Sequence, residues 1–170
     1  MDFLDLVKKR RSCRAFTNEV IAEDKLARIL EAGRLAPTAC NFQPLKLHVL
    51  TGESLNKARD FAWLYNAQTA VLVCSLDASC WMRKYDKENF GLADAAIVTD
   101  HMALAAAAEE VSSCIIGAIK TVGLHEALGL PSEEHIQLIL ALGLADESVP
   151  DKLQLHDKRK SLEDLVEFNS

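Results

Sequence analysis

The sequence predicts an α+β fold, and three observations carry that expectation. Helical and strand-like hydrophobic patterns are mixed without a steady strand–helix–strand rhythm. Two apolar runs, Ala70–Leu76 and Ile136–Leu144, have the length and continuity of strands buried on both faces. Between them, Leu92 to Glu110 is rich in alanine and free of glycine and proline, which reads as one long helix.

The elements follow in order. Phe3, Leu6 and Val7 fall at i, i+3, i+4 and mark a short first helix with Asp2 at its N-cap. Glu23 to Leu35 predicts a second helix, with acids in its first turn, Leu26, Ile29 and Leu30 facing inward, and Pro37 beyond its end. Ala36 to Pro44 is a loop bracketed by two prolines. Leu45 to Leu50 alternates, with Leu45, Leu47 and Val49 opposed to Lys46, His48 and Leu50, and reads as a strand. Gly52 to about Asp60 predicts a helix, and residues 77 to 91 read as polar and irregular. Cys114 to Lys120 is a short apolar piece around Gly117, and His125 to Gly129 is a helical turn. Ile136–Leu144 is then the third core strand. With no linker, repeat or low-complexity stretch, residues 1–170 read as one domain.

Composition excludes several functions. The chain carries 19 cationic and 25 acidic residues, a net charge of −6, and only 6% aromatics. Such a field and such a shortage of stacking surfaces argue against a nucleic-acid partner. No stretch approaches the roughly 18 uncharged apolar residues of a membrane span, because the run from Met102 to Ala108 stops at Glu109-Glu110. Asp2 and Asp5 stand where a secretory signal would be cationic. The five cysteines are odd in number and form no CxxC pair, so neither a zinc site nor a disulfide framework is expected, and free thiols fit the reducing cytoplasm. His48, His101, His125, His135 and His156 show no metal-ligand spacing.

Two segments stand out chemically. Five of the seven residues from Lys8 to Arg14 are cationic in an acidic chain. One reading is a complement to the dipole of the preceding helix. The other is an anion pocket, in which arginine forks and the Ser12 hydroxyl match phosphate oxygens. Lys158-Arg159-Lys160 is a second basic cluster that could share the same phosphate. The Pro37–Pro44 loop presents Thr38, Asn41 and Gln43 in a stiff frame. There is no GxGxxG, GxxxxGK[ST], GxSxG or HExxH, and no nucleophile–base arrangement can be argued from position. The alanines of the long helix permit close approach of another helix, either within the core or from a second subunit.

In collinear order, Arg10–Phe16, Ala36–Pro44, Asp94–Ile97, Cys114–Ala118, Leu128–Pro131, Leu140–Gly143 and Lys158–Glu163 resemble the nitroreductase family of FMN-dependent oxidoreductases. The resemblance implies a three-layer α/β/α sandwich with a mostly antiparallel central sheet. It implies an obligate homodimer with two FMN sites at the subunit interface. Arg10, Arg11, Ser12 and Arg14 would approach the phosphate, ribityl chain and pyrimidine side of the flavin. Lys158 and Arg159 would close on the phosphate. Pro37, Thr38, Ala39 and Asn41 would come from the other subunit, and Ile116 and Gly117 would offer backbone N–H groups to the ring. NADH or NADPH would donate electrons and a small electron-poor molecule, such as a nitroaromatic or quinone, would accept them in a ping-pong cycle. The cofactor carries the chemistry, so no protein nucleophile is needed and no metal is expected. Glu110-Val111-Ser112-Ser113 stands where the family commonly has glycine, and residues 77 to 91 leave little room for helices over the active site. Two other classes compete: an FMN-binding protein with little turnover, and an interaction scaffold built on the alanine-rich helix, which would be colourless.

Overall fold

In the computed structural model, which describes residues 2–150, 156 and 158–169, the chain is built around one antiparallel sheet. Its strands are β1 (Leu45–Leu50), β2 (Thr69–Leu76), β3 (Ser112–Ile116) and β4 (Glu134–Gly143), in the spatial order β1-β2-β4-β3. β2 and β4 lie in the centre and are apolar on both faces, which is why they read as continuous runs rather than alternating ones. The β2–β4 ladder shifts register between Val73 and Cys74, where Gln137 is the extra residue on β4 and donates to Ser75 Oγ at 2.8 Å.

Helices cover both faces. On one, α2 (Glu23–Leu35) and α4 (Gly91–Ala108) pack Ile29, Val98, Met102, Ala103 and Ala106 against Val71, Val73, Leu140 and Leu142. On the other, α3 (Gly52–Arg59) and α5 (Thr121–Leu128) bring Leu55, Ala58 and Leu124 onto Leu72, Cys74, Ile136 and Ile139. Each leucine or isoleucine fully buried this way contributes about 1.5–3 kcal/mol. The result is the three-layer α/β/α sandwich with an antiparallel sheet that the sequence resemblance implied.

Local chemistry sets the boundaries. α2 spans the predicted residues, and Ala36 before Pro37 is extended, as a residue preceding proline prefers. α3 begins with a capping box in which Thr51 and Ser54 exchange side-chain-to-backbone bonds. α5 ends at Gly129, whose φ of 63° is a left-handed C-cap. The first helix, α1 (Phe3–Lys9), has Asp2 at its N-cap position, but the aspartate side chain makes no capping bond.

Two expectations are corrected and one open alternative is narrowed. The sheet has a fourth strand, β3, which overlaps the start of the Cys114–Lys120 piece read only as apolar. It begins with Ser112 and Ser113 and lies at an edge, so it lacks the long hydrophobic run of a central strand. In β1 the alternation holds but both faces meet a core: Leu50, on the face of Lys46 and His48, is buried beneath α3, whereas Val49, on the face of Leu45 and Leu47, is exposed. Finally, Ala103 and Ala106 serve the core of their own chain. Both are fully buried against α2 and the sheet, so these two small residues admit a neighbouring helix of their own chain.

Candidate functional site

The basic segment runs along the β3 edge. Ser12 forms a parallel bridge with Ser113, and the Cys13 N–H donates to the Ser113 carbonyl at 2.8 Å. Farther on, Phe16 bridges Ala145 and the Asp146 N–H donates to the Ala15 carbonyl at 2.9 Å, so the segment is pinned at both ends. Two clefts flank it. One, of about 500 Å³, is lined by Lys8, Lys9, Arg10, Arg11, Ser112 and His156 among others. The second, of about 470 Å³, is lined by Arg11, Ser12, Cys13, Arg14, Asp146 and Glu147 among others.

These cations are unusual in what they lack. Arg28 binds Asp24 and Glu109, Arg34 binds Glu31, and Arg83 binds Asp86. These pairs hold Asp24, Glu31, Asp86 and Glu109 below the usual carboxylate range, chiefly through hydrogen bonds from their arginines. Among the described residues, no ion pair involves Lys8, Lys9, Arg10, Arg11 or Arg14. Their field reaches inward: burial raises the Cys114 thiol, and Arg14 and Arg10 partly offset the rise.

Ile116 ends β3, buried and paired opposite Ile139. Gly117 follows it at the surface, and a Cβ built there would touch only Leu138 Cδ2 at 3.8 Å. The space beside this backbone is open to a ligand. Lys158 and Arg159 lie exposed in the C-terminal tail, and His156, two residues before them, lines the cleft beside Arg10. The tail therefore returns to the basic segment.

Pro37, Thr38, Ala39 and Asn41 are elsewhere. They form the turn that leads into β1, at the other edge of the sheet. Three inter-strand spacings, about 14 Å, separate the two edge strands. The turn is strained and firmly held. Cys40, Asn41 and Gln43 have φ of 51°, 56° and 52°. Thr38 Oγ1 accepts the Gln43 N–H at 3.0 Å, and Asp94 Oδ1 accepts the Ala39 N–H at 2.8 Å. Asp94 sits in the first turn of α4 with its side chain buried, and its Oδ2 has no partner among the described residues.

Comparison with known proteins settles the lineage. The sequence profile described as "Nitroreductase family" matches residues 7–64 and 56–144. The chain belongs to the nitroreductase family. This membership places it among the oxidoreductases. A nitroreductase family protein from Clostridium difficile 630 superposes with a TM-score of 0.92 at 32% identity, covering 100% of this chain and 99% of that one. A nitroreductase from Bacteroides fragilis, solved with bound FMN, superposes with a TM-score of 0.79 at 22% identity over 99% of this chain and all of its own. In sequence, a protein of Archaeoglobus fulgidus provisionally named NADH dehydrogenase/NAD(P)H nitroreductase is 28% identical over 149 residues, 82% of this chain and 83% of its own length.

For this nitroreductase-family chain, sequence reasoning missed two things at the site. Asp94 was visible at the start of the long helix, but its grip on Ala39 joins residues 55 apart and has no local signature. His156 resembled any tail residue until the fold returned it to the basic cleft.

Proposed function

We propose that the protein is an FMN-dependent oxidoreductase that passes electrons from NADH or NADPH to small electron-poor acceptors such as nitroaromatics or quinones. It would act as a homodimer in the cytoplasm, each chain being one flavin-binding domain. The observation that carries this reading is the set of cations at Arg10, Arg11 and Arg14, left without acidic partners among the described residues in a chain of net charge −6 and facing open clefts.

The residues fit the cofactor. Arginine forks and the Ser12 hydroxyl suit a phosphate dianion and the polar chain next to it. Lys158 and Arg159 would add cations from the tail, and the Ile116–Gly117 backbone offers donors where no side chain obstructs. Pro37, Thr38, Ala39 and Asn41 stand at the opposite edge of their own chain, so a second copy would present them to the same flavin. The fixed backbone of that turn then supplies a preorganised wall. Bound FMN supplies the two-electron redox chemistry, and the protein supplies binding, orientation and electrostatics. Arg14, on the ring side of the cluster, would stabilise negative charge there. The absence of disulfides among the five cysteines suits a reducing compartment.

The test is a fluorescence titration of FMN and riboflavin into flavin-free protein, with NAD(P)H bleaching of the loaded form. A charge-assisted hydrogen bond contributes about 1.5–3 kcal/mol, so Arg10→Ala or Arg159→Ala should weaken FMN binding by roughly ten- to a hundred-fold. Riboflavin, which lacks the phosphate, should be nearly unaffected by either change. Arg14→Ala should weaken both ligands. Equal losses of FMN and riboflavin affinity in Arg159→Ala would assign the tail to the fold rather than the phosphate. Bound flavin that NAD(P)H does not bleach would make the protein a flavin carrier.

A further inference from the structure

Far from the basic segment, three strands bring three ligand-type side chains together. His48 on β1, Cys74 on β2 and Glu134 on β4 offer an imidazole nitrogen, a thiol sulfur and a carboxylate oxygen, all within 4.8 Å of one another. His48 Nε2 lies 2.5 Å from Glu134 Oε2. Cys74 is fully buried and Glu134 nearly so, whereas His48 keeps about a quarter of its side chain (26%) in solvent. Cys13, Cys80 and Cys114 each donate to a backbone carbonyl, but Cys74 Sγ has no hydrogen-bond partner among the described residues.

A carboxylate in an apolar layer is expensive to bury without a partner, whereas a neutral thiol buries readily; what calls for an account is the convergence of all three donor atoms on one point. One polar pair accounts for His48 and Glu134. It does not account for the thiol between them.

We propose that His48, Cys74 and Glu134 form a binding site for one divalent transition-metal ion, with zinc as the natural occupant. The donor set selects it. Thiolate and imidazole favour zinc over magnesium or calcium, which want oxygen alone. A thiolate and a carboxylate together neutralise a dication, which suits a buried site. Zinc bonds of 2.0–2.3 Å in tetrahedral array hold donors roughly 3.3–3.8 Å apart. The His48–Glu134 contact must open slightly and Cys74 must close in. Both are side-chain adjustments on strands whose backbones the ladder holds fixed.

Water can complete the coordination. A cleft of about 270 Å³ lined by Thr121, His125, Glu134, His135 and Ile136 among others reaches the carboxylate from outside. On binding, the zinc–sulfur bond replaces the Cys74 S–H bond and the proton leaves to solvent. No electron is transferred. Burial, with Glu134 adding, pushes the empty thiol up to about 12. The ion's own charge reverses that balance.

The position gives the site a structural consequence. It ties β1 to β4 across β2, at the sheet end where the Pro44 carbonyl accepts the Leu76 N–H at 2.8 Å. That is where the strained Thr38–Gln43 turn enters the sheet, so an ion there would brace the turn.

The probes are Zn²⁺ by calorimetry and elemental analysis, and Co²⁺ by absorption. Both are added to reduced, chelator-stripped full-length protein with its flavin content held constant. One ion should bind per chain. Co²⁺ should give a sulfur-to-cobalt charge-transfer band in the difference spectrum. Cys74→Ala should abolish that band while the other four cysteines remain. His48→Gln and Glu134→Gln should each weaken Zn²⁺ by at least about a hundred-fold, beyond the ten- to hundred-fold typical of groups behind the ligands. Zn²⁺ should raise the melting temperature of the wild type and not of Cys74→Ala. If a polar variant fails to fold, Cys74→Ala still decides, because alanine is tolerated in an apolar strand. Failure of the wild type to retain one ion per chain, or a cobalt band that survives Cys74→Ala, overturns the proposal. Neither result depends on flavin binding, so it fails separately from the proposed function.

Discussion

Along the β3 edge, the Lys8–Arg14 segment is held by a few backbone bonds, and its cations have no acidic partners among the described residues. Along the β1 edge, the Pro37–Pro44 turn carries little charge, but three residues sit at positive φ and a buried carboxylate grips its backbone. The first edge keeps electrostatic capacity in reserve and is locally relaxed. The second keeps shape in reserve and is locally strained. Strain of this kind persists only where surrounding contacts over-determine it, and it tends to gather at binding sites. The contrast suits a divided site, in which one subunit contributes charge and the other contributes a rigid wall.

The sharpest way to break the contrast is to remove Asp94. Its Oδ1 holds the Ala39 N–H, so Asp94→Ala should destabilise the flavin-free protein by about 1.5–3 kcal/mol, the range for a hydrogen bond to a charged group. At about 2–4 °C per kcal/mol for a chain of this size, a thermal melt should fall by several degrees. Asp94→Asn keeps the acceptor and should lose less. Arg10→Ala removes a cation with no acidic partner among the described residues and should leave the same melt within about 0.5 kcal/mol. Equal losses at both edges would erase the distinction.

The architecture was legible wherever one periodicity governed a whole element. α2, β1 and β2 emerged from pattern alone, because first-turn acids, proline placement, strand alternation and apolar continuity agreed. β3 did not, since an edge strand opening on two serines carries no such run. The inward set of α4 was also hidden. When nearly every residue is small and apolar, pattern does not say which face meets the core, and only the packing of Met102 against Gly33 reveals it: a Cβ at Gly33 would stand 2.8 Å from Met102 Cγ. The site was half legible. The basic segment advertised itself by charge, whereas Asp94–Ala39 and His48–Cys74–Glu134 are products of topology and have no spacing to read.

A gentler probe relaxes the strained edge instead of cutting it. Cys40 is exposed and has φ of 51° and ψ of 21°, a left-handed conformation. That conformation costs a side-chain-bearing residue about 1–2 kcal/mol, while glycine adopts it freely and loses about 0.5–1 kcal/mol of unfolded-state entropy. Cys40→Gly should therefore raise stability by up to about 1 kcal/mol, read as a higher urea midpoint with unchanged slope. A drop would show that the Cys40 side chain has a packing role despite its exposure.

The smallest effect lies behind the basic edge and reads its field directly. Cys114 is buried beneath Arg10 and Arg14, and burial raises its thiol above the ordinary value of 9.0. A raised folded pKa means that the folded state holds the proton after the unfolded chain has begun to release it. The stabilisation is complete below the unfolded value and is lost as pH climbs from there toward the folded value. Cys74 and Cys80, raised by burial in the same direction, contribute alike. Urea midpoints in reducing buffer should therefore fall on the alkaline side of about pH 9, and Cys114→Ala should make the fall shallower. Arg14 offsets part of the rise at Cys114, so Arg14→Ala should make it steeper. If Arg14→Ala leaves the alkaline slope unchanged, the cations of the β3 edge point only outward and their field stops at the surface.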